Sequence, residues 1–116
     1  MSRSKKIQEE ISRYSEIEHV HDLPPINRYW TDKFLVPKFR SLGFEDPNDF
    51  YVQYIEKSFA QNPGETCRVL SIGAGNCDTE VALAESLMAK GVRDFKFTCM
   101  DINPHMLHRG RKLAQE

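Results

Sequence analysis

The run Cys67-Arg68-Val69-Leu70-Ser71-Ile72-Gly73-Ala74-Gly75-Asn76-Cys77-Asp78-Thr79-Glu80 constrains the fold more than any other segment. A short apolar strand, 68–72, leads straight into Gly-Ala-Gly, and a helix-starting sequence follows at once. The chain must leave a strand and enter a helix within a few residues. Glycine permits positive φ there and lets another group touch the backbone directly. An amphipathic helix over 78–90, rich in Ala and Leu, is closed by Gly91. A second strand over 95–100 has Phe95, Phe97 and Cys99 alternating. Strand, helix, strand with a crossover of this length implies parallel, right-handed pairing.

The remaining punctuation defines helices. Asn103-Pro104 reads as an N-cap and first helical residue, and Met106, Leu107, Gly110, Leu113 and Ala114 give the following helix an apolar stripe. Residues 3–21 are expected to be helical, because Ile7, Ile11, Tyr14 and then Ile17 or Glu18 recur at helical spacing. Leu23-Pro24-Pro25 ends that helix. The stretch 26–42 is aromatic-rich and interrupted by Pro37, which predicts two short helices or one kinked one, with Gly43 as C-cap. Asp46-Pro47 opens another helix, carrying Phe50, Tyr51, Tyr54, Ile55 and Phe59 up to the turn Asn62-Pro63-Gly64. Two regions are expected: an N-terminal helical extension or lid over 1–65, and an α/β segment with parallel strands over 66–116.

At 116 residues the chain permits one domain. Its net charge of −1 gives no whole-molecule reason to expect nucleic acid as a partner. Cys67, Cys77 and Cys99 form no CxxC pair and are odd in number, so we read them as free thiols in a reducing compartment. No apolar stretch approaches the roughly 20 residues of a membrane span. The N-terminus lacks an apolar signal core, and a cytoplasmic location is expected.

A glycine turn of this kind suits a ligand approaching the backbone. The amides of Gly75, Asn76 and Cys77 would lie near a helix N-terminus, where they can donate to an anion or a polar group. Asp101 ends the second strand beside the glycine loop, where a carboxylate can accept hydrogen bonds from both hydroxyls of a ribose. Its purely structural alternative is an N-cap or Asx-turn ahead of Asn103-Pro104. A dinucleotide site wants Gly-x-Gly-x-x-Gly, and the third position here is Asp78. An aspartate there would repel a pyrophosphate, yet it is compatible with an ammonium or sulfonium group.

The segments Val69-Leu70-Ser71-Ile72-Gly73-Ala74-Gly75-Asn76-Cys77 and Phe97-Thr98-Cys99-Met100-Asp101-Ile102-Asn103 resemble the first two motifs of class I S-adenosylmethionine-dependent methyltransferases. The resemblance covers 67–116. It implies a Rossmann-like fold and S-adenosylmethionine as cofactor. It also implies a glycine loop (Gly73, Ala74, Gly75) on the methionine part, Asp101 on the ribose and Ile102 beside the adenine. The family often has an acidic residue two positions before the first glycine, where this chain has Ser71. It often has a third glycine where this chain has Cys77. Amino-group recognition must then come from elsewhere, and Asp78 is one candidate; Asn76 completes the expected cofactor set.

Such a fold normally uses seven strands, and two are visible. We expect the chain to be the N-terminal part of a longer methyltransferase, or a dimer or partner chain to complete the sheet. No catalytic residue can be named. The near-neutral charge and aromatic front end favour a small-molecule acceptor over nucleic acid. Two other readings stay open: an NAD-type dinucleotide-binding half-domain, and a non-catalytic interaction module. The segment 27–34 could form a lid or acceptor wall, or Tyr29, Trp30 and Phe34 could simply pack on the sheet. His19, His21 and Asp22 make no recognisable metal set, and His105 and His108 are assigned no role.

Overall fold

A computed structural model describes residues 2–15 and 23–116. Ile17, Glu18, His19, His21 and Asp22 lie outside the described residues. The elements, in order, are α1 (Arg3–Ser15), α2 (Pro25–Trp30), a π-helical turn (Thr31–Leu35), α3 (Val36–Ser41), α4 (Pro47–Gln61), β1 (Cys67–Ile72), α5 (Asp78–Ala89), β2 (Phe95–Met100) and α6 (Pro104–Leu113). The protein is therefore mixed α/β, with β1 and β2 paired in a two-stranded sheet. The Cys67 amide donates to the Asp94 carbonyl and the Gly73 amide to the Met100 carbonyl. Donor and acceptor keep the same sequence offset at both ends, which is the signature of parallel pairing.

Both strands alternate between part-buried and exposed residues. Cys67, Val69, Ser71, Phe95, Phe97 and Cys99 face the covered side, as the alternation of apolar residues in β2 predicts. The opposite side carries Leu70, Ile72 and Met100, all exposed. Parallel strands ordinarily have both faces covered, so these three side chains, interspersed with Arg68, Lys96 and Thr98, are the least satisfied apolar part of the sheet.

The chain divides into two compact units. The first contains the described part of Met1–Val20 together with Leu70–Ala82 and Phe97–Glu116. Here α6 begins as its sequence requires: the Asn103 side chain accepts from the His105 and Met106 amides, with Pro104 at the first helical position. Met106 and Gly110, both on the expected stripe, are buried. Helix α1 is held to α6 through polar bonds. Asn103 Nδ2 donates to the Ile11 carbonyl at 3.2 Å, and Arg109 donates to the carbonyls of Ser15 at 2.8 Å and Tyr14 at 3.2 Å. A guanidinium has several N–H donors in a fixed fork and can satisfy two neighbouring backbone carbonyls at once.

The second unit contains His21–Val69, described from residue 23, and Leu83–Lys96. Its buried apolar residues are Val52, Leu83, Leu87 and Val92. Asp46 caps α4 by accepting from the Asp49 amide at 2.9 Å, and the Asp49 carboxylate accepts in return from the Glu45 amide. Phe50 sits among Phe39, Phe44 and Tyr54, with ring centroids 5.8, 5.1 and 4.8 Å away. Helix α5 ends at Gly91 with φ of 85°, and the Val92 amide reaches back to the Leu87 carbonyl.

Pro37 does not break the helix that contains it. Residues on both sides stay helical, and the turn before it widens so that the Val36 amide donates to the Thr31 carbonyl. A proline ring collides with the carbonyl four residues back. A π turn moves that carbonyl out of register with the ring while the residues on both sides stay helical. Along the same stretch, Trp30 and Phe34 pair at 4.6 Å and Lys33 lies over the Tyr29 ring, but Tyr29, Trp30 and Phe34 each stay about half exposed. They do not form a buried core.

Candidate functional site

Where β1 ends, Gly73 and Gly75 both have positive φ, 76° and 55°. Between them and α5 the backbone makes a tight turn, closed by the Cys77 amide donating to the Ala74 carbonyl. Cys77 itself has φ of 60°, a left-handed conformation that usually falls to glycine. Position 77 thus keeps a glycine-like backbone while carrying a thiol.

Asp101 ties this loop to the end of β2. Its Oδ2 accepts from the Gly75 amide and its Oδ1 from the Asn103 amide, each at 2.8 Å. The second bond is an Asx-turn, so the structural role weighed for Asp101 is present. The Gly73 and Ala74 amides donate to the Met100 carbonyl. Of the three amides expected to face a ligand, those of Gly75 and Cys77 thus have acceptors within the protein. The loop offers its glycine Cα faces instead. A Cβ built on Gly73 would meet nothing within 4 Å, and one on Gly75 would lie 3.2 Å from Met106 Cε.

A cavity of about 600 Å³ opens over these faces. Gly73, Gly75, Asp101 and Ile102 line it, which brings together four of the residues singled out from sequence. Ala74, Asn76 and Asp78 are not among the lining residues. Asn76 is 4% exposed and accepts from Arg109 Nε at 3.1 Å, so its side chain serves the joint between the loop and α6. Asp78 lies in the first turn of α5. His105 and His108 are exposed on α6.

Sequence reasoning missed the other wall. Glu10, Ile11 and Tyr14 of α1 line the cavity opposite the strand ends, with Met100, Ile72 and Met106 supplying apolar surface. The helical spacing of Ile11 and Tyr14 was the available signal, but it cannot say what the stripe faces. Among the described residues, the lining includes two carboxylates, Glu10 and Asp101, and no lysine or arginine. Such a cavity disfavours a pyrophosphate and suits a ligand that is apolar in its middle and cationic at one end.

Beneath the loop, Ser71 Oγ donates to Glu80 Oε1, so Ser71 is bound to a carboxylate from α5. Burial pushes the Cys77 thiol up to about 12, helped by its hydrogen bond to Cys99 and by the nearby charges of Cys99, Glu80 and Asp78. Burial raises Cys99 as well, against the opposing effect of the hydrogen bond from Cys77. None of the three cysteines is in a disulfide.

No protein-family model, no curated protein and no solved structure matches this chain. Among the described residues, no helix is long and apolar enough to cross a membrane.

Proposed function

We propose that the cavity binds S-adenosylmethionine, in the manner of a Rossmann-like class I methyltransferase, and serves methyl transfer to a small-molecule acceptor. The observation that carries this reading is one lining: positive-φ glycines at the end of β1, Asp101 at the end of the neighbouring parallel strand, and Ile102 beside it. Ligands of open α/β sheets bind at the carboxyl ends of the strands. The residues fit the group. Asp101 keeps lone pairs beyond its two backbone bonds and can accept from ribose hydroxyls. Ile102, Met100 and Met106 provide an apolar bed for an adenine ring. Glu10 provides the carboxylate that Ser71 lacks, facing an ammonium, so α1 takes the amino-group role considered for Asp78.

The bound group would supply an activated methyl on a sulfonium. The contribution of the chain is to bind and orient it, since displacement at a methyl group depends chiefly on alignment. No catalytic base is assigned.

Backbone NMR with S-adenosylhomocysteine tests the assignment residue by residue. Saturable shifts confined to Gly73, Gly75, Asp101, Ile102 and the Glu10–Tyr14 face of α1 are expected. Saturable binding that leaves these amides unmoved would move the site elsewhere.

A further inference from the structure

The loop, α5 and β2 bring a second group of side chains together on the covered side of the sheet. Cys77 precedes α5, Glu80 lies in its first turn, and Cys99 is the next-to-last residue of β2. Their Sγ, carboxylate oxygen and Sγ atoms all lie within 4.8 Å of one another. The ligand atoms of a tetrahedral zinc, at about 2.0–2.3 Å from the metal, are roughly 3.3–3.8 Å apart. Closing the cluster on an ion thus takes about 1 Å of side-chain adjustment.

Glu80 supplies a second, independent observation. Its Oε1 accepts from Ser71, but its Oε2 is buried and has no hydrogen-bond partner among the described residues. A buried carboxylate oxygen without a donor is costly. Two thiols that can become anionic stand beside it. Such a set calls for a cation, and a pair of thiolates selects a soft one.

We infer that Cys77, Cys99 and Glu80 form a binding site for zinc or a similar thiophilic divalent cation, which clamps the glycine loop, α5 and β2 together. On binding, two S–H bonds give way to two metal–sulfur bonds and both protons leave to solvent. Glu80 binds through Oε2, and Ser71 orients it through Oε1, as outer partners of metal ligands do. One solvent molecule completes four-coordination. The burial that keeps both thiols protonated in the metal-free chain is offset by the charge of the ion. Cys67, at the start of β1, takes no part.

The test is titration of the reduced, chelator-treated full chain with cobalt(II), read by absorption. The expected result is one equivalent bound with an intense thiolate-to-cobalt charge-transfer band, bleached by zinc, together with a rise in melting temperature with zinc. Cys67→Ser should keep the band and Cys99→Ser should lose it. Ser71→Ala should weaken binding about 10–100-fold, the usual effect of removing an outer-shell partner. A folded wild-type chain that gives no charge-transfer band overturns the inference without reference to any variant. So does a band that persists in Cys99→Ser, or rapid closure of a Cys77–Cys99 disulfide in a chain that binds no metal when reduced.

Discussion

Gly110 fixes how closely α6 can approach the turn that follows the glycine loop. A Cβ at this position would lie 2.7 Å from the Asn76 carbonyl oxygen, 2.7 Å from Cys77 Sγ and 2.9 Å from Cys77 Cβ. Two of these atoms belong to backbone or to the root of a side chain, so they cannot swing away. Replacing glycine by alanine within a helix would by itself stabilise by about 1 kcal/mol. Overpacking a close contact costs about 1–3 kcal/mol, and three approaches under 3.0 Å put this site at the upper end. Gly110→Ala should therefore destabilise by about 2 kcal/mol despite its better helix propensity. Urea unfolding of the described fold, with a slope of about 2 kcal/mol/M, should show the midpoint falling by roughly 1 M with the slope unchanged. His108→Ala, on the exposed side of the same helix, should leave the midpoint unchanged or slightly raised. A Gly110→Ala chain as stable as the parent would refute the close approach of α6 to Asn76 and Cys77, and with it the geometry of the loop.

Two further outcomes follow from the polar joint between α1 and α6. Arg109→Met removes the donors to the Tyr14 and Ser15 carbonyls while keeping an apolar stem; hydrogen exchange in α1 should accelerate about tenfold or more, with β1 and β2 little affected. Asn103→Ala deletes the N-cap of α6 and the bond to Ile11 from a residue only 2% exposed. It should cost about 2 kcal/mol in denaturant unfolding, more than a solvent-exposed cap would; a loss under half of that would contradict the buried joint.

Local signals read the ends of several elements well. The alternation of Phe95, Phe97 and Cys99, the cap at Asn103-Pro104, the cap at Asp46-Pro47 and the stop at Gly91 each depend on neighbours within a few residues, and each appears where the sequence puts it. What escaped the sequence is long-range or depends on alternative local bonding. Pro37 signals trouble in a helix, but whether the chain kinks, stops or widens into a π turn depends on which carbonyl can be re-bonded. Gly110 reads as one small residue of an apolar stripe, and only the packed structure reveals the thiol and carbonyl against it. Glu10 is an exposed charge on a polar helix until α1 is seen beside Asp101. Cys77 and Cys99 lie on different elements, so no cysteine spacing could announce their meeting with Glu80. The acceptors of the loop amides are long-range or turn-specific too: Asp101 takes the Gly75 amide and the Ala74 carbonyl the Cys77 amide, which no motif announces.

Calorimetric titration of the chain with S-adenosylhomocysteine, with NAD as the control, tests the central claim most directly. The account predicts saturable one-to-one binding of S-adenosylhomocysteine and none of NAD. Affinity should weaken about tenfold or more in Glu10→Gln, an exposed substitution that leaves the fold intact. Binding of NAD in preference, or affinity indifferent to Glu10, would contradict it, as would a demonstrably folded chain that binds neither nucleoside.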